Sequence, residues 1–207
     1  MSPMPERMRD HWWWRPGVRP GRRLLVWHIL VDDQPGVHAL AGKCRGQLAH
    51  LPGLDLVPTE WLHITTQIIG FADEISTAEI TAMTASAAKH LQVLSPVTVG
   101  LQRVLFHDEG VALGIHPPRA LDAVRAGIRD AIAKEVAVHQ LADEPDWTPH
   151  LSVAYSNSDG SATPIIEALT PRPGPCPLAV RDVQLVAQER VDHLYRWERI
   201  AAIPLGG

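Results

Sequence analysis

Apolar and polar positions divide the chain into a regular succession of elements. Leu24 to Val31 is apolar at every position except His28, which predicts a strand buried on both faces. Asp32-Asp33-Gln34-Pro35-Gly36 ends it as a turn, and helical spacing then runs from Val37 to Leu51, closed by Pro52-Gly53. A second strand is expected over Trp61–Phe71. Asp73 and Glu74 follow where a helix N-terminus favours negative charge, and the alanine-rich stretch from Ile75 to Leu94 reads as that helix. Val97–Phe106 and Val111–His116 form a hairpin through His107-Asp108-Glu109-Gly110. Pro117 and Pro118 introduce a helix from Arg119 to about Val138, and Asp143-Glu144-Pro145-Asp146 reads as an acidic loop. A strand over Trp147–Tyr155 comes next, then a short helix from Thr163 to Leu169. Pro171, Pro173, Pro175 and Pro177 mark a stiff connector before a closing strand pair, Val180–Gln188 and Leu194–Ile203.

After the first strand the order is helix, strand, helix, hairpin, and then the same again, over about 36–116 and 118–203. The central strand of each repeat carries a histidine with a hydroxyl two residues later: His63-Ile64-Thr65 and His150-Leu151-Ser152. Side chains alternate along a strand, so each histidine shares a face with its hydroxyl. Leu62, Ile64 and Thr66 then face away, as do Leu151, Val153 and Tyr155. With 11 histidines, 8 serines and 10 threonines, chance supplies on the order of one His-x-Ser/Thr triplet. The two present are the only ones, each opens an apolar strand, and they occupy equivalent places in the two repeats. Two imidazoles and two hydroxyls facing a shared cleft are suited to gripping and cleaving a phosphodiester.

Composition narrows the class further. With 207 residues, 45% of them hydrophobic, the chain can bury one sizeable core or two small lobes. A net charge of -4 gives no global positive field, so an anionic ligand must be held locally. The exception is the first 21 residues, a Trp/Arg-rich arm before a domain spanning 22–207. Its run His11-Trp12-Trp13-Trp14-Arg15 can bind single-stranded nucleic acid through phosphate contacts and base stacking, with Trp13 and Arg15 as RNA contacts. The alternative is that the tryptophans pack the arm onto the domain and the arginines stay solvated. His28 and Gln67 are further cleft candidates, His28 being weighed against a hydrogen-bonded core histidine. Cys44 and Cys176 form neither a metal motif nor a disulfide framework. No membrane-spanning run or leader pattern is evident, so a cytoplasmic monomer is expected. Metal, dinucleotide and P-loop fingerprints are absent from the sequence.

The paired H-I-T and H-L-S triplets, in the contexts W-L-H-I-T-T-Q-I-I-G-F and P-H-L-S-V-A-Y, resemble the 2H phosphoesterase superfamily, which includes 2′,5′ RNA ligases and RNA 2′,3′-cyclic phosphodiesterases. The resemblance runs from Arg22 to Leu205 and leaves the arm unexplained. It implies an α+β fold of two lobes, with two antiparallel sheets flanking a central cleft and helices outside. It also implies catalysis by His63 and His150, phosphate binding by Thr65 and Ser152, no metal and no cofactor. The partners it implies are RNA ends or nucleotide cyclic phosphates. The expected division of labour is His63 as general acid and His150 as general base. Hydrolysis of small cyclic or 2′,5′-linked nucleotides, and non-catalytic RNA binding, are the competing readings.

Overall fold

The computed structural model describes residues 4–141 and 147–206. The acidic run Asp143–Asp146 lies outside the described residues. In chain order the strands are β1 (Arg7–Met8), β2 (Leu24–Leu30), β3 (Leu54–Leu56), β4 (His63–Phe71), β5 (Val97–His107), β6 (Gly110–His116), β7 (His150–Ser156), β8 (Gly160–Ser161), β9 (Cys176–Val180), β10 (Asp182–Val191) and β11 (Leu194–Pro204). The helices are α1 (Pro35–Leu48), α2 (Thr77–Leu91), α3 (Asp122–Glu135) and α4 (Thr163–Ala168). The four predicted helices are therefore present, α3 shorter at both ends than the spacing implied.

The architecture is the expected bilobal α+β one. Two antiparallel groups of strands, β11-β10-β2-β4 and β7-β6-β5-β9, meet where β4 and β7 lie side by side, joined by the single pair Ile64 and Leu151. The first helix of each repeat packs in the lobe that does not hold its own histidine strand. Thus α1 lies against β7 and β9, while α3 lies against β4 and α2. Each repeat's hairpin crosses over in the same sense, β5-β6 joining β7 and β10-β11 joining β2. The interchange ties the lobes into one core that runs from Trp27 and Ile64 on one side to Leu113 and Leu151 on the other.

Local sequence explains the ends of α2. Ser76 accepts a hydrogen bond from the Glu79 amide at 3.2 Å, and the Glu79 carboxylate accepts one from the Ser76 amide at 2.8 Å. This reciprocal cap satisfies donors that the first turn leaves open. Glu79 also accepts from the Ala137 amide at 3.0 Å, fastening the start of α2 to the chain leaving α3.

The register of β4 and β7 departs from simple alternation at matching places. Gln67 and Thr65 stand opposite consecutive β2 residues, Trp27 and His28, so Thr66 is an extra residue in β4. Ala154 and Ser152 stand opposite consecutive β6 residues, Val111 and Ala112, so Val153 is an extra residue in β7. Each bulge falls three residues after the histidine. A bulge shifts which residues face which side. Tyr155, expected to face away from His150, therefore shares its face, as Ile68 shares that of His63. Gln67 is turned the other way, where its carbonyl accepts from Arg129 at 2.9 Å and its amide donates to the Ile68 carbonyl at 2.9 Å. Its expected place in the cleft is thus corrected.

Two stretches read as irregular carry pairing. The proline-rich connector ends in β9, an outer strand whose Pro177 lies opposite Gly100 of β5. Proline, which has no N–H to donate, is tolerated at such an edge. The arm is docked as well: β1 pairs with β8, and the His11 amide donates to the Ser156 carbonyl at 2.9 Å.

Candidate active site

β4 and β7 both start at their histidine, and this fixes the two imidazoles in the same way. The His63 Nδ1–H donates to the Trp61 carbonyl at 2.9 Å, and the His150 Nδ1–H donates to the Thr148 carbonyl at 2.8 Å. A carbonyl only accepts, so Nδ1 must carry the hydrogen and Nε2 is left as the reactive nitrogen. Antiparallel pairing of Ile64 with Leu151 sets His63 against Ser152 and Thr65 against His150 one step to either side. Each imidazole is thereby placed beside the other strand's hydroxyl.

These four residues line one cavity of about 290 Å³, together with Ile68 and Tyr155, the residues that the bulges turn inward. On β6 the residues opposite Tyr155, Ser152 and His150 are the small Gly110, Ala112 and Gly114. A second chamber of about 270 Å³ shares His150, Ser152 and Tyr155 with the first and extends past His107 and Val111.

The two histidines have different surroundings. His63 is buried, and its pKa is pushed from 6.5 to about 4, mainly because burial penalises the charged ring, with His150 adding repulsion and the Trp61 carbonyl partly opposing both. His28 stands behind it, ring centres 4.3 Å apart, fully buried and donating from Nε2 to the Gln188 side-chain carbonyl at 2.9 Å. Burial first, and His63 second, hold His28 well below the ordinary histidine range. His28 backs the site rather than lining the cavity. Trp197 packs edge-on against both rings. On the other side His107 lies 5.6 Å from His150, its pKa lowered by burial and then by His150.

The arm completes the cavity. Trp12 is 3% exposed, and its indole N–H donates to Asp55 at 2.8 Å. His11 stacks on Tyr155 with ring centres 4.3 Å apart, donates from Nδ1 to Glu109 at 3.0 Å and accepts from the Tyr195 hydroxyl at 2.9 Å. Burial and then Arg15 bring its pKa down to about 4, consistent with the neutral ring those bonds require. Arg15, named above as an RNA contact, lines the cavity and pairs with Glu109 at 2.9 Å. Trp13 does not line it; half exposed, it donates to Glu109 at 3.0 Å. Arg22, Arg190 and Tyr195 also line the cavity, though no local pattern in the sequence marks them. Only the fold brings them together, since Arg190 and Tyr195 sit on the closing hairpin. The arginines facing the cleft correct the picture of an arm whose arginines are simply solvated.

Among the described residues, no three His, Cys, Asp or Glu side chains gather as a metal shell, and no helix is long and apolar enough to cross a membrane.

Comparison with known proteins places this geometry in context. The family described as the 2′-5′ RNA ligase superfamily matches residues 32–192. No curated protein sequence matches the chain. Among solved structures, a phosphoesterase superposes with a TM-score of 0.67 at 18% identity, covering 90% of this chain and 99% of its own. LigT of E. coli bound to 3′-AMP gives a TM-score of 0.66 at 21% identity, covering 89% and 98%. TT0787 of Thermus thermophilus gives 0.67 at 17% identity, covering 89% and 98%. At these identities the likeness is one of fold.

Proposed function

The chain belongs to the 2′-5′ RNA ligase superfamily, and from that premise we propose that its cleft is a metal-independent phosphodiesterase site that opens 2′,3′-cyclic phosphates to 2′-phosphates. The observation that carries this reading is the matched pair of imidazoles. Each is oriented through Nδ1 by the carbonyl two residues before it, presents Nε2, and has a hydroxyl two residues further on.

In the proposed reaction Nε2 of His150 takes a proton from water as the water oxygen bonds to phosphorus. The bond from phosphorus to the ribose O3′ breaks, and O3′ takes its proton from Nε2 of His63. Thr65 and Ser152 donate hydrogen bonds to the non-bridging oxygens, where charge accumulates in the transition state. With a ribose 5′-hydroxyl attacking phosphorus in place of water, O3′ again leaving, the product is a 2′,5′-phosphodiester, so 2′,5′ ligation uses the same groups. In the empty cleft His63 is neutral near pH 7, its pKa being about 4. An opposite charge within about 4–6 Å raises a histidine's proton affinity by roughly 10- to 1000-fold. The phosphate anion therefore raises the share of His63 in its acid form as it binds.

His63→Ala and His150→Ala should each lose roughly 10²–10⁴ in turnover of a cyclic phosphate. With a 4-nitrophenyl phosphodiester, whose leaving group needs no proton, only His150→Ala should remain crippled. Near-full turnover of the cyclic phosphate by either variant would remove that histidine from the mechanism.

RNA ends are the substrate class the family points to. A second reading, the same reaction on small nucleotides, is favoured by the cavity's volume of about 290 Å³ and by the arm at its edge.

A further inference from the structure

Three guanidinium groups, Arg15, Arg22 and Arg190, line the cavity that holds His63 and His150; among the described residues lining it there is no Asp or Glu. In a chain of net charge -4, three guanidinium groups thus face one cavity. Arg15 is paired with Glu109 at 2.9 Å and Arg22 with Asp73 and Glu74 at 2.9 and 2.6 Å; none of these carboxylates lines this cavity, Glu109 lining the adjoining chamber instead. Arg190 is held differently. Its two terminal nitrogens donate to the backbone carbonyls of Trp12 and Trp13, which orient it without cancelling its charge. Trp12 and Trp14 stack over it, the latter at 4.1 Å.

The same contacts define a strap. Its first part is fixed to the second lobe through β1-β8, Asp108 and Glu109. Its middle is fixed to β10 of the first lobe through Arg190, and its end to the residues after β4 through Arg22. Gly17 turns the strap with φ of 80° and packs so closely on Phe71 that a Cβ would lie 2.6 Å from the ring. The strap therefore spans the two lobes, and the cavity of about 290 Å³ with its adjoining chamber of about 270 Å³ is of small-ligand size.

Resting on the reading of the cleft as a phosphodiesterase site, we propose that Arg15, Arg22 and Arg190 form a second anion subsite, and that the substrate is a nucleotide-sized molecule carrying a further phosphate besides the one held by the two histidines. Polymeric RNA threaded through the cleft is disfavoured, because the strap occupies one end. Arg15 belongs to the arm, Arg15 and Arg22 lie before the family match at residues 32–192, and Arg190 lies within it.

The test is calorimetric titration of the full chain with adenosine 2′-monophosphate and adenosine 2′,5′-bisphosphate, alongside an assay of turnover on adenosine 2′,3′-cyclic phosphate. The bisphosphate should bind at least about tenfold more tightly, the equivalent of about 1.4 kcal/mol. That ratio should shrink as salt rises and should approach one in Arg15→Gln and Arg190→Gln. Equal affinities in the wild-type protein would overturn the subsite whether or not the variants fold. Absence of turnover with the affinity ratio intact would instead count against the catalytic reading and leave the subsite standing.

Discussion

Acid should destabilise the protein through His63, and replacing that residue by Gln isolates the effect. In the unfolded chain His63 titrates near 6.5, whereas in the folded cleft burial brings it to about 4. Above 6.5 the ring is neutral in both states, and the shift has no effect on stability. As pH falls below 6.5 the unfolded chain binds a proton that the folded protein refuses, so the unfolded state is favoured. The loss is complete near pH 4, where the folded ring also protonates. One pKa unit corresponds to about 1.4 kcal/mol, so the interval from 6.5 to about 4 amounts to about 3 kcal/mol. Urea unfolding followed by circular dichroism, from about pH 7.5 down to about pH 4.5, gives the stability of each protein at each pH. The wild type should lose stability more steeply than His63→Gln, the difference approaching about 1.4 kcal/mol per pH unit around pH 5. Carboxylates and the histidines away from the cleft titrate in both proteins and largely cancel. Parallel stability curves would refute the claim that His63 is held neutral by burial, and with it the proposal that substrate supplies the charge that protonates it.

Thr65→Val and Ser152→Ala should each lower the rate constant for cyclic phosphate turnover by about 10²–10³, the range for one transition-state donor; steady-state kinetics showing a change confined to KM would contradict that role. Gly110→Ala should destabilise the lobe by roughly 1–3 kcal/mol, because a Cβ there would lie 2.6 Å from the Ala154 carbonyl oxygen of the histidine strand. Thermal unfolding reads that loss, and an unchanged midpoint would mean that β6 and β7 are not packed as described.

The sequence carried the elements better than their faces. Hydrophobic runs marked β2, β4 and β7, and the spacing of His63 and His150 in matching repeats marked the cleft. Both signals are local, and the duplication made them visible twice. The bulges at Thr66 and Val153 leave no mark in the hydrophobic pattern, because either residue is an ordinary strand former. Alternation therefore put Tyr155 on the wrong face and left Gln67 as a cleft candidate. Pro177 concealed β9, since a proline is compatible with a strand only at a position where no amide is needed. Arg22, Arg190 and Tyr195 were invisible for another reason: what places them is the pairing of β10 with β2 and the path of the arm, contacts about fifty positions apart for Arg22 and more than a hundred and fifty for Arg190. The arm's tryptophans and arginines were noticed as a composition, but their division into a buried anchor at Trp12 and cavity-lining guanidinium groups required the fold.

The central claim is that two histidines acting without metal open a cyclic phosphate. Its most direct test is to incubate the protein in EDTA with a nucleoside 2′,3′-cyclic phosphate and with an oligoribonucleotide ending in one, and to identify the products by phosphorus NMR. The account predicts conversion to a 2′-phosphate with the 3′-hydroxyl free. No conversion of either compound, or conversion only when a divalent metal is restored, would contradict it.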